Sequence, residues 1–190
     1  MKQYRACVIG MGYIGGVHIE ALRRLGNVTV TALATTTNPT EKAAAYHVPR
    51  GYSDYREMID LEQPDVVHIC TPNDSHCEMA LYAMERGIAV MLEKPMTRTL
   101  SEARQLAEYA SAHHIPNAVN FNCRWYPQVL QAKSMAQSGE LGDIFAVQGS
   151  YLQDWMLLDT DYNWRAEPAG CQARCTDSRA RARRAWRSGG

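Results

Sequence analysis

Apolar runs alternate with segments of helical periodicity along the chain up to residue 122. Val66–Cys70 is a nearly continuous apolar run, which is typical of a central parallel strand that is buried on both faces. Gly26 and Gly87 stand where helices would end, and Thr99 and Glu102 have the spacing of a capping box. Alternation of this kind predicts an α/β fold with a doubly wound parallel sheet. The predicted strands are 6–10, 28–33, 66–70, 88–92 and 118–121, and the predicted helices are about 14–25, 41–46, 54–61, 76–86 and 99–113. On the first of these helices the positions that recur at helical spacing are Ile14, His18, Ala21, Leu22 and Leu25.

The pattern changes after Asn122. A helix is predicted at about 127–138, and a half-exposed strand with alternating polarity follows at 144–151. We therefore expect a first domain at 1–122 and the incomplete beginning of a second domain, built on an open sheet, at 123–165. The tail 166–190 contains no Ile, Leu, Val, Met or Phe. Such a segment buries too little apolar surface to offset its ordering entropy, so we expect it to be disordered.

Charge and composition exclude several classes of protein. Lys+Arg and Asp+Glu both number 20, and 46% of the residues are hydrophobic, which argues against a nucleic-acid-binding chain and against general disorder. The neutral total hides a split, because 166–190 holds six Arg and two acidic residues. This basic tail could bind nucleic acid or membrane as an arm, although an incidental solvated tail is the interpretation that we favour. No apolar run approaches the length of about 20 residues that a membrane span needs, and the N-terminus has no signal-peptide pattern. We expect a cytoplasmic protein with reduced cysteines and no membrane partner.

Gly10, Gly12 and Gly15 form a GxGxxG motif between the first strand and the first helix. Gly10 permits the tight turn, Gly12 lets a pyrophosphate approach the backbone, and Gly15 lets the helix pack close to the sheet. Methyltransferases and flavoproteins also have glycine-rich first turns, so the motif alone identifies no ligand. Its place at the start of a βαβ pattern favours a dinucleotide site over a purely structural turn.

The end of the second predicted strand lacks the acidic residue that would hold a ribose 2′-hydroxyl. The segment is Ala34-Thr-Thr-Thr-Asn38, which has no carboxylate to repel a 2′-phosphate and no arginine to bind one. Either NAD or NADP suits it, with a slight preference for NADP. Threonines that only cap a helix are an equally good interpretation of this segment.

Two further loops follow the carboxyl ends of predicted strands, where ligands bind in parallel sheets. Thr71, Pro72 and Asn73 would contact a ligand, or cap the next helix, or do both. His76 lies in the first turn of that helix and could contact a ligand, although a single histidine there is more often a surface residue.

Glu93 and Lys94 end the next predicted strand, on the same edge of the sheet. A lysine beside a nicotinamide ring could donate a hydrogen bond or a proton to a substrate oxygen. Spacing alone favours a simpler interpretation, which is a surface ion pair between Glu93 and Lys94.

Three motifs in this order resemble the Gfo/Idh/MocA family, the relatives of glucose–fructose oxidoreductase and inositol dehydrogenase. They are Gly10–Gly15, Cys70–Asn73 and Glu93–Pro95, and the resemblance extends over about residues 5–165. It implies a Rossmann domain followed by an α/β domain with a large open sheet. It also implies an NAD(P)-dependent oxidoreductase that transfers a hydride between nicotinamide and a sugar, sugar acid or cyclitol.

The resemblance implies roles for individual residues. Lys94 would assist hydride transfer as the catalytic residue, and the Lys94–Pro95 bond is often cis in the family. No metal is expected, and an intact member would be expected to form a homo-oligomer, an expectation that does not extend to this chain. The motifs and the resemblance together give as cofactor-binding residues Gly10, Gly12, Tyr13, Ile14, Gly15, Thr35, Thr71, Pro72, Asn73, His76, Glu93, Lys94, Asn120, Trp164 and Arg165.

The sequence departs from the family pattern after Trp164-Arg165. Members carry a histidine motif soon afterwards, whereas this chain has no histidine after His114. The tail has the composition of a GC-rich gene read in another frame, and we therefore expect a frameshift near Gly170 and little turnover. A nucleotide-binding module without chemistry and a non-functional fragment are the alternatives to an enzyme. Cys171 and Cys175 alone are not expected to bind a metal.

Overall fold

A six-stranded parallel sheet forms the centre of the structure, a computed structural model that describes residues 1–150, 152, 154, 157, 158, 160 and 161. The strands are β1 (Tyr4–Ile9), β2 (Val28–Ala34), β3 (Arg50–Tyr52), β4 (Val66–Ile69), β5 (Ala89–Leu92) and β6 (Asn117–Val119). The helices are α1 (Tyr13–Arg23), α2 (Pro39–Ala45), α3 (Tyr55–Glu62), α4 (His76–Met84), α5 (Leu100–Ala112) and α6 (Pro127–Gln137). The strand order is β3-β2-β1-β4-β5-β6, so the winding reverses between β1 and β4. This order confirms the predicted doubly wound sheet and places its switch point beside the glycine loop.

Apolar side chains cover both faces of the sheet. Successive residues of β1 point to opposite faces, so Ala6 and Val8 join one core cluster while Cys7 and Ile9 join the other. The first cluster packs against α1 and α2, and the second against α3, α4 and α5. Burial on both faces explains why β1 and β4 are apolar at consecutive positions rather than at alternate ones.

Side-chain caps fix where two of the helices begin. The Asp54 carboxylate accepts the backbone N–H of Arg56 at the start of α3. Thr99 and Glu102 form the predicted capping box at the start of α5, in which each side chain accepts the other residue's backbone N–H.

Strand β3 was not predicted, because its three residues carry no apolar pattern. Polar contacts hold it in the sheet instead. Arg50 Nε lies 2.7 Å from the fully buried Glu62 carboxylate of α3, and Tyr52 Oη donates to the same carboxylate at 2.8 Å. Arg5 of β1 forms a further ion pair with Glu62 at 3.0 Å, so one buried acid joins β1, β3 and α3.

The chain beyond β6 confirms one prediction and corrects another. Helix α6 lies where a helix was predicted. The predicted strand at 144–151 is wrong over 144–150, where the described residues form no strand and Phe145 and Val147 are 94% and 89% exposed. A strand needs a neighbour for its backbone hydrogen bonds, and the described part of the chain offers none here. Among the helices that the structure describes, none is long and apolar enough to cross a membrane.

Candidate functional site

A cavity of about 890 Å³ lies along the carboxyl ends of the strands, across the switch point between β1 and β4. We call this cavity the crevice. Gly15 and His76 do not line it, and Trp164 and Arg165 lie outside the described residues. The predicted site residues that line the crevice are Gly10, Gly12, Tyr13, Ile14, Thr35, Thr71, Pro72, Asn73, Glu93, Lys94 and Asn120.

Each glycine of the first loop is needed for a different reason. Gly10 has a φ of +91°, and a Cβ on it would lie 2.7 Å from the Cys70 carbonyl carbon. A Cβ on Gly15 would lie 2.1 Å from the Gly10 carbonyl oxygen, so only glycine lets α1 approach the turn this closely. A Cβ on Gly12 would meet no atom within 4 Å, since this residue faces the open crevice. Gly12 caps α1 without a side-chain bond, and no acidic residue stands in the first turn, which leaves the helix N-terminus open to an anion.

The end of β2 forms one wall of the crevice through Thr35 and Thr36. The Asn38 amide does not line the crevice and donates to the Glu41 carboxylate at 2.9 Å. Lys42 of α2 donates from Nζ to the Met11 carbonyl oxygen at 2.7 Å and so ties this helix to the glycine loop. Sequence reasoning missed this lysine, because nothing in a short helix indicates which loop its side chain will meet.

The loop after β4 is held by its own hydroxyl groups. Ser75 Oγ lies 2.7 Å from Thr71 Oγ1 and 2.8 Å from the Pro72 carbonyl oxygen. Ser75 is the N-cap residue of α4, but its side chain forms no capping hydrogen bond to that helix. The loop closes a 3-10 turn over Asn73–Ser75 and directs Thr71, Pro72 and Asn73 to the crevice.

His76 is fully buried, which corrects its predicted place at the surface. Its Nδ1 lies 3.0 Å from the Pro95 carbonyl oxygen, and its Nε2 lies 2.9 Å from the Thr71 carbonyl oxygen. His76 is the first residue of α4, and its ring lies between the loop after β4 and the loop after β5 rather than in solvent. His76 therefore links the loop after β4 to the loop after β5, where the Lys94–Pro95 peptide is cis.

The predicted ion pair between Glu93 and Lys94 is not formed, and the Glu93 carboxylate contacts other side chains. Its Oε1 lies 3.0 Å from His18 Nε2 and accepts the Asn120 amide at 2.6 Å. Burial opposes ionisation of this carboxyl, but the hydrogen bonds from His18 and Asn120 outweigh burial and lower the pKa of Glu93 below its ordinary value. None of the ion pairs within the described part of the chain involves Lys94.

Burial makes two thiols poor nucleophiles, that of Cys70 at the crevice and that of Cys7 in the core. Burial, reinforced by the Glu93 charge, raises the pKa of Cys70 to about 12, and burial raises the pKa of Cys7 to about 11. The cysteines in the described residues are free, and those residues bring together no group of three or more side chains suited to a metal ion.

Comparison with known proteins places this geometry in a family. Residues 4–121 match the model of an oxidoreductase family with an NAD-binding Rossmann fold, GFO_IDH_MocA. The chain is 32% identical over 176 residues to levoglucosan dehydrogenase of Pseudarthrobacter phenanthrenivorans, a match that covers 87% of this chain and 45% of that protein.

Solved structures agree with this match. A levoglucosan dehydrogenase in complex with NADH superposes with a TM-score of 0.84 at 29% identity, over 90% of this chain and 49% of that one. Myo-inositol 2-dehydrogenase from Lactobacillus plantarum superposes with a TM-score of 0.71 at 31% identity, over 75% of this chain and 43% of that one. The chain thus spans less than half the length of these relatives. Because the family model covers more than half of it, the chain belongs to the Gfo/Idh/MocA family of oxidoreductases, and the matched part is the family's NAD-binding Rossmann domain.

Proposed function

We propose that this chain is the cofactor-binding part of an NAD(P)-dependent oxidoreductase that transfers a hydride between nicotinamide and a sugar, sugar acid or cyclitol. The observation that carries the proposal is the crevice, in which the glycine loop, the loop after β4 and Lys94 lie along one edge of the sheet. The substrate class is supported by similarity to a levoglucosan dehydrogenase and a myo-inositol 2-dehydrogenase.

The residues of the crevice fit a dinucleotide. Gly12 leaves open space at the N-terminus of α1, which suits a pyrophosphate, and Gly10, Tyr13 and Ile14 lie beside it. In a doubly wound sheet the two halves of the cofactor bind on opposite sides of the switch point, so Thr35 would meet the adenosine half. The residues that would hold the nicotinamide half are Thr71, Pro72, Asn73, Lys94 and Asn120. When bound, the nicotinamide ring supplies the hydride acceptor or donor.

Lys94 is the group suited to the substrate oxygen. Its side chain lines the crevice, and Glu93 beside it is bonded to His18 and Asn120. An ammonium that no carboxylate neutralises can donate a hydrogen bond to a substrate carbonyl, or as the amine take the proton of a substrate hydroxyl. In hydride transfer, this chain would thus supply or accept the substrate proton at Lys94 Nζ.

A nucleotide-binding module without turnover is the second candidate. It is supported by the match of residues 4–121 to an NAD-binding Rossmann domain, which supplies the nucleotide site by itself. For both candidates we propose a cytoplasmic setting and no nucleic-acid or membrane partner, in line with the neutral net charge. Homo-oligomerisation would belong to an intact enzyme.

Calorimetry with NADH and NADPH tests cofactor binding, and the absorbance of reduced nicotinamide over a panel of sugars, sugar acids and cyclitols tests turnover. Lys94→Ala should weaken NADH binding by about tenfold, because one charge-assisted contact is lost, and should lower any turnover at saturating NADH by about 10²- to 10⁴-fold, the usual cost of losing a general acid or base. Lys133→Ala on the exposed α6 is the matched control and should change neither.

Three results separate the candidates. Binding with turnover that depends on Lys94 supports the enzyme, and binding without turnover supports the nucleotide-binding module. Absence of binding of either dinucleotide at millimolar concentration by the folded chain overturns both.

A further inference from the structure

Four polar side chains meet in the interior beside Lys94. They are His18 of α1, His68 of β4, Glu93 after β5 and Asn120 after β6. His18 Nδ1 lies 2.8 Å from His68 Nδ1, and His18 Nε2 lies 3.0 Å from Glu93 Oε1. The side chains of His18 and Glu93 are only 8% and 13% exposed, so water screens these contacts little. His18 belongs to the helix that follows β1, whereas the other three residues belong to the β4–β6 half of the sheet.

Hydrogen-bond chemistry fixes the direction of the His18–Glu93 contact. Glu93 is ionised at neutral pH and can only accept, so His18 Nε2 carries a proton and donates it. His68 is neutral at that pH, because burial and the neighbouring His18 lower its pKa to about 4. A neutral imidazole with its proton on Nε2 can only accept at Nδ1, so His18 Nδ1 accepts from the Nδ1–H of the neutral His68 ring. His68 thus fixes the orientation of the His18 ring.

These contacts occupy the Glu93 carboxylate. Oε1 accepts from His18 and from the Asn120 amide, and Oε2 lies 3.3 Å from the backbone N of Lys94. Charge-assisted bonds in a buried site are stronger than an ion pair with a mobile lysine at the surface. The carboxylate nearest to Lys94 along the chain is therefore held away from its ammonium.

We propose that His18 is a positioning residue, which holds Glu93 and thereby keeps the Lys94 ammonium free for a ligand in the crevice. Without the His18 donor, Glu93 turns toward Lys94 and pairs with it. The part of this inference that concerns the ligand rests on the proposed function, and the part that concerns Glu93 and Lys94 does not.

Two substitutions separate the contacts of His18. His18→Asn places an amide near the position of Nδ1, where it can meet His68 but not Glu93. His18→Gln places its amide near the position of Nε2, where it can still donate to Glu93. Both variants exchange the ring for a side-chain amide, so each is a control for the other's effect on folding. His113→Asn, at an exposed position, controls for the loss of a histidine.

The first measurement needs no cofactor. The free chain is treated with an amine-reactive reagent, and the modification rate of Lys94 is followed by peptide mass spectrometry, with Lys133 as the internal reference. His18→Asn should slow Lys94 modification by about three- to fivefold, because an ammonium paired with Glu93 is less reactive. His18→Gln and His113→Asn should leave the rate unchanged, and adding Glu93→Gln to His18→Asn should restore it.

The second measurement separates the two halves of the cofactor. NADH carries the nicotinamide, whereas ADP-ribose lacks it and reports only on the glycine loop and the end of β2. His18→Asn should weaken NADH binding by about tenfold, which corresponds to the loss of one charge-assisted contact, and leave ADP-ribose binding within about twofold. A general loss of structure would weaken both ligands alike.

Equal Lys94 modification rates in the wild type and His18→Asn overturn the inference, and so do equal rates in His18→Asn and His18→Gln. If His18→Asn does not fold, Asn120→Ala takes its place, because it removes the other donor to the same Glu93 oxygen and should slow Lys94 modification in the same direction. A wild-type chain that binds neither NADH nor ADP-ribose overturns the proposed function, while the modification rates still decide the placement of Glu93.

Discussion

Gly12 and Gly15 differ in what surrounds them, so substitutions there separate ligand binding from folding. Gly12→Val should abolish NADH binding, since its side chain would fill the open space at the N-terminus of α1. It should change the midpoint of thermal unfolding by only a few degrees. Gly15→Ala should lower that midpoint, because its Cβ would lie 2.1 Å from a backbone oxygen and overpacking costs about 1–3 kcal/mol. Circular dichroism melts and NADH titrations of both variants check this, and a Gly12→Val chain with normal affinity would contradict the placement of the pyrophosphate.

His68 makes the stability depend on pH in a defined window. Its pKa falls from 6.5 in an unfolded chain to about 4 in the fold, so the unfolded state binds more protons between these values. Stability should therefore decrease as the pH falls from about 6.5 to about 4, by as much as about 3 kcal/mol from this group. Urea titrations across this range should show a smaller decrease for His68→Asn, which cannot titrate but can keep one hydrogen bond to His18. An unchanged pH dependence in that variant would show that His68 is not buried as the neutral ring.

The position of the glycine loop, Thr71 and Lys94 at the crevice could be predicted, because each belongs to a local motif at the end of a strand. The partners of His18 and His76 could not, since they depend on how α1 and α4 pack over strands that are distant in sequence. One signal existed for His18, which stands among the apolar positions that recur along α1. A polar side chain on a buried stripe must find a partner, but the sequence does not say which one.

The capping box of α5 offers a test at the level of one helix. Thr99→Ala removes the acceptor of the Glu102 backbone N–H and should destabilise the chain by about 1 kcal/mol, which lowers the unfolding midpoint by about 2–4 °C. Thr40→Ala, an exposed threonine inside α2, is the matched control and should have no destabilising effect. Differential scanning calorimetry of the two variants decides, and equal melting points would mean that α5 does not depend on its cap.

Strand β3 exists although no pattern predicts it, and the strand predicted at 144–151 is absent over 144–150. Both cases show that a local pattern alone does not determine where a strand forms. A strand pattern describes which face of a segment is apolar, but a strand exists only where another strand pairs with it. β3 lacks the pattern and is held by its bonds to β2 and by the buried Glu62. The segment 144–150 has the alternation and no neighbour in the described part of the chain. Pairing over long distances is what local patterns leave undetermined.

At the scale of the whole sheet, the switch point between β1 and β4 predicts how the cofactor would be oriented. If the adenosine half lies at the end of β2, a carboxylate there should repel a 2′-phosphate. Thr35→Asp should then weaken NADPH binding by about tenfold or more, while NADH binding falls far less. Thr37→Asp adds the same charge at an exposed position that does not line the crevice and should discriminate much less. Equal effects of Thr35→Asp on the two dinucleotides would reverse the assigned orientation.

We expect the part of the chain that ends near Asn122 to be sufficient for folding and for cofactor binding. Within the described residues, the six strands and both core clusters lie before Asn122, and Ile115 is the last residue that packs on the larger cluster. Helix α6 has no buried residue, and its main contacts are with the short turn that precedes it. A chain of residues 1–122 should therefore unfold in one cooperative transition and bind NADH with an affinity within about threefold of that of the 190-residue chain. Urea unfolding of both chains, followed by circular dichroism and by tyrosine fluorescence, tests the folding. NADH titration of both chains tests the binding. A 1–122 chain that fails to fold would show that residues after Asn122 stabilise the sheet, and one that folds but loses NADH would place part of the cofactor site among them.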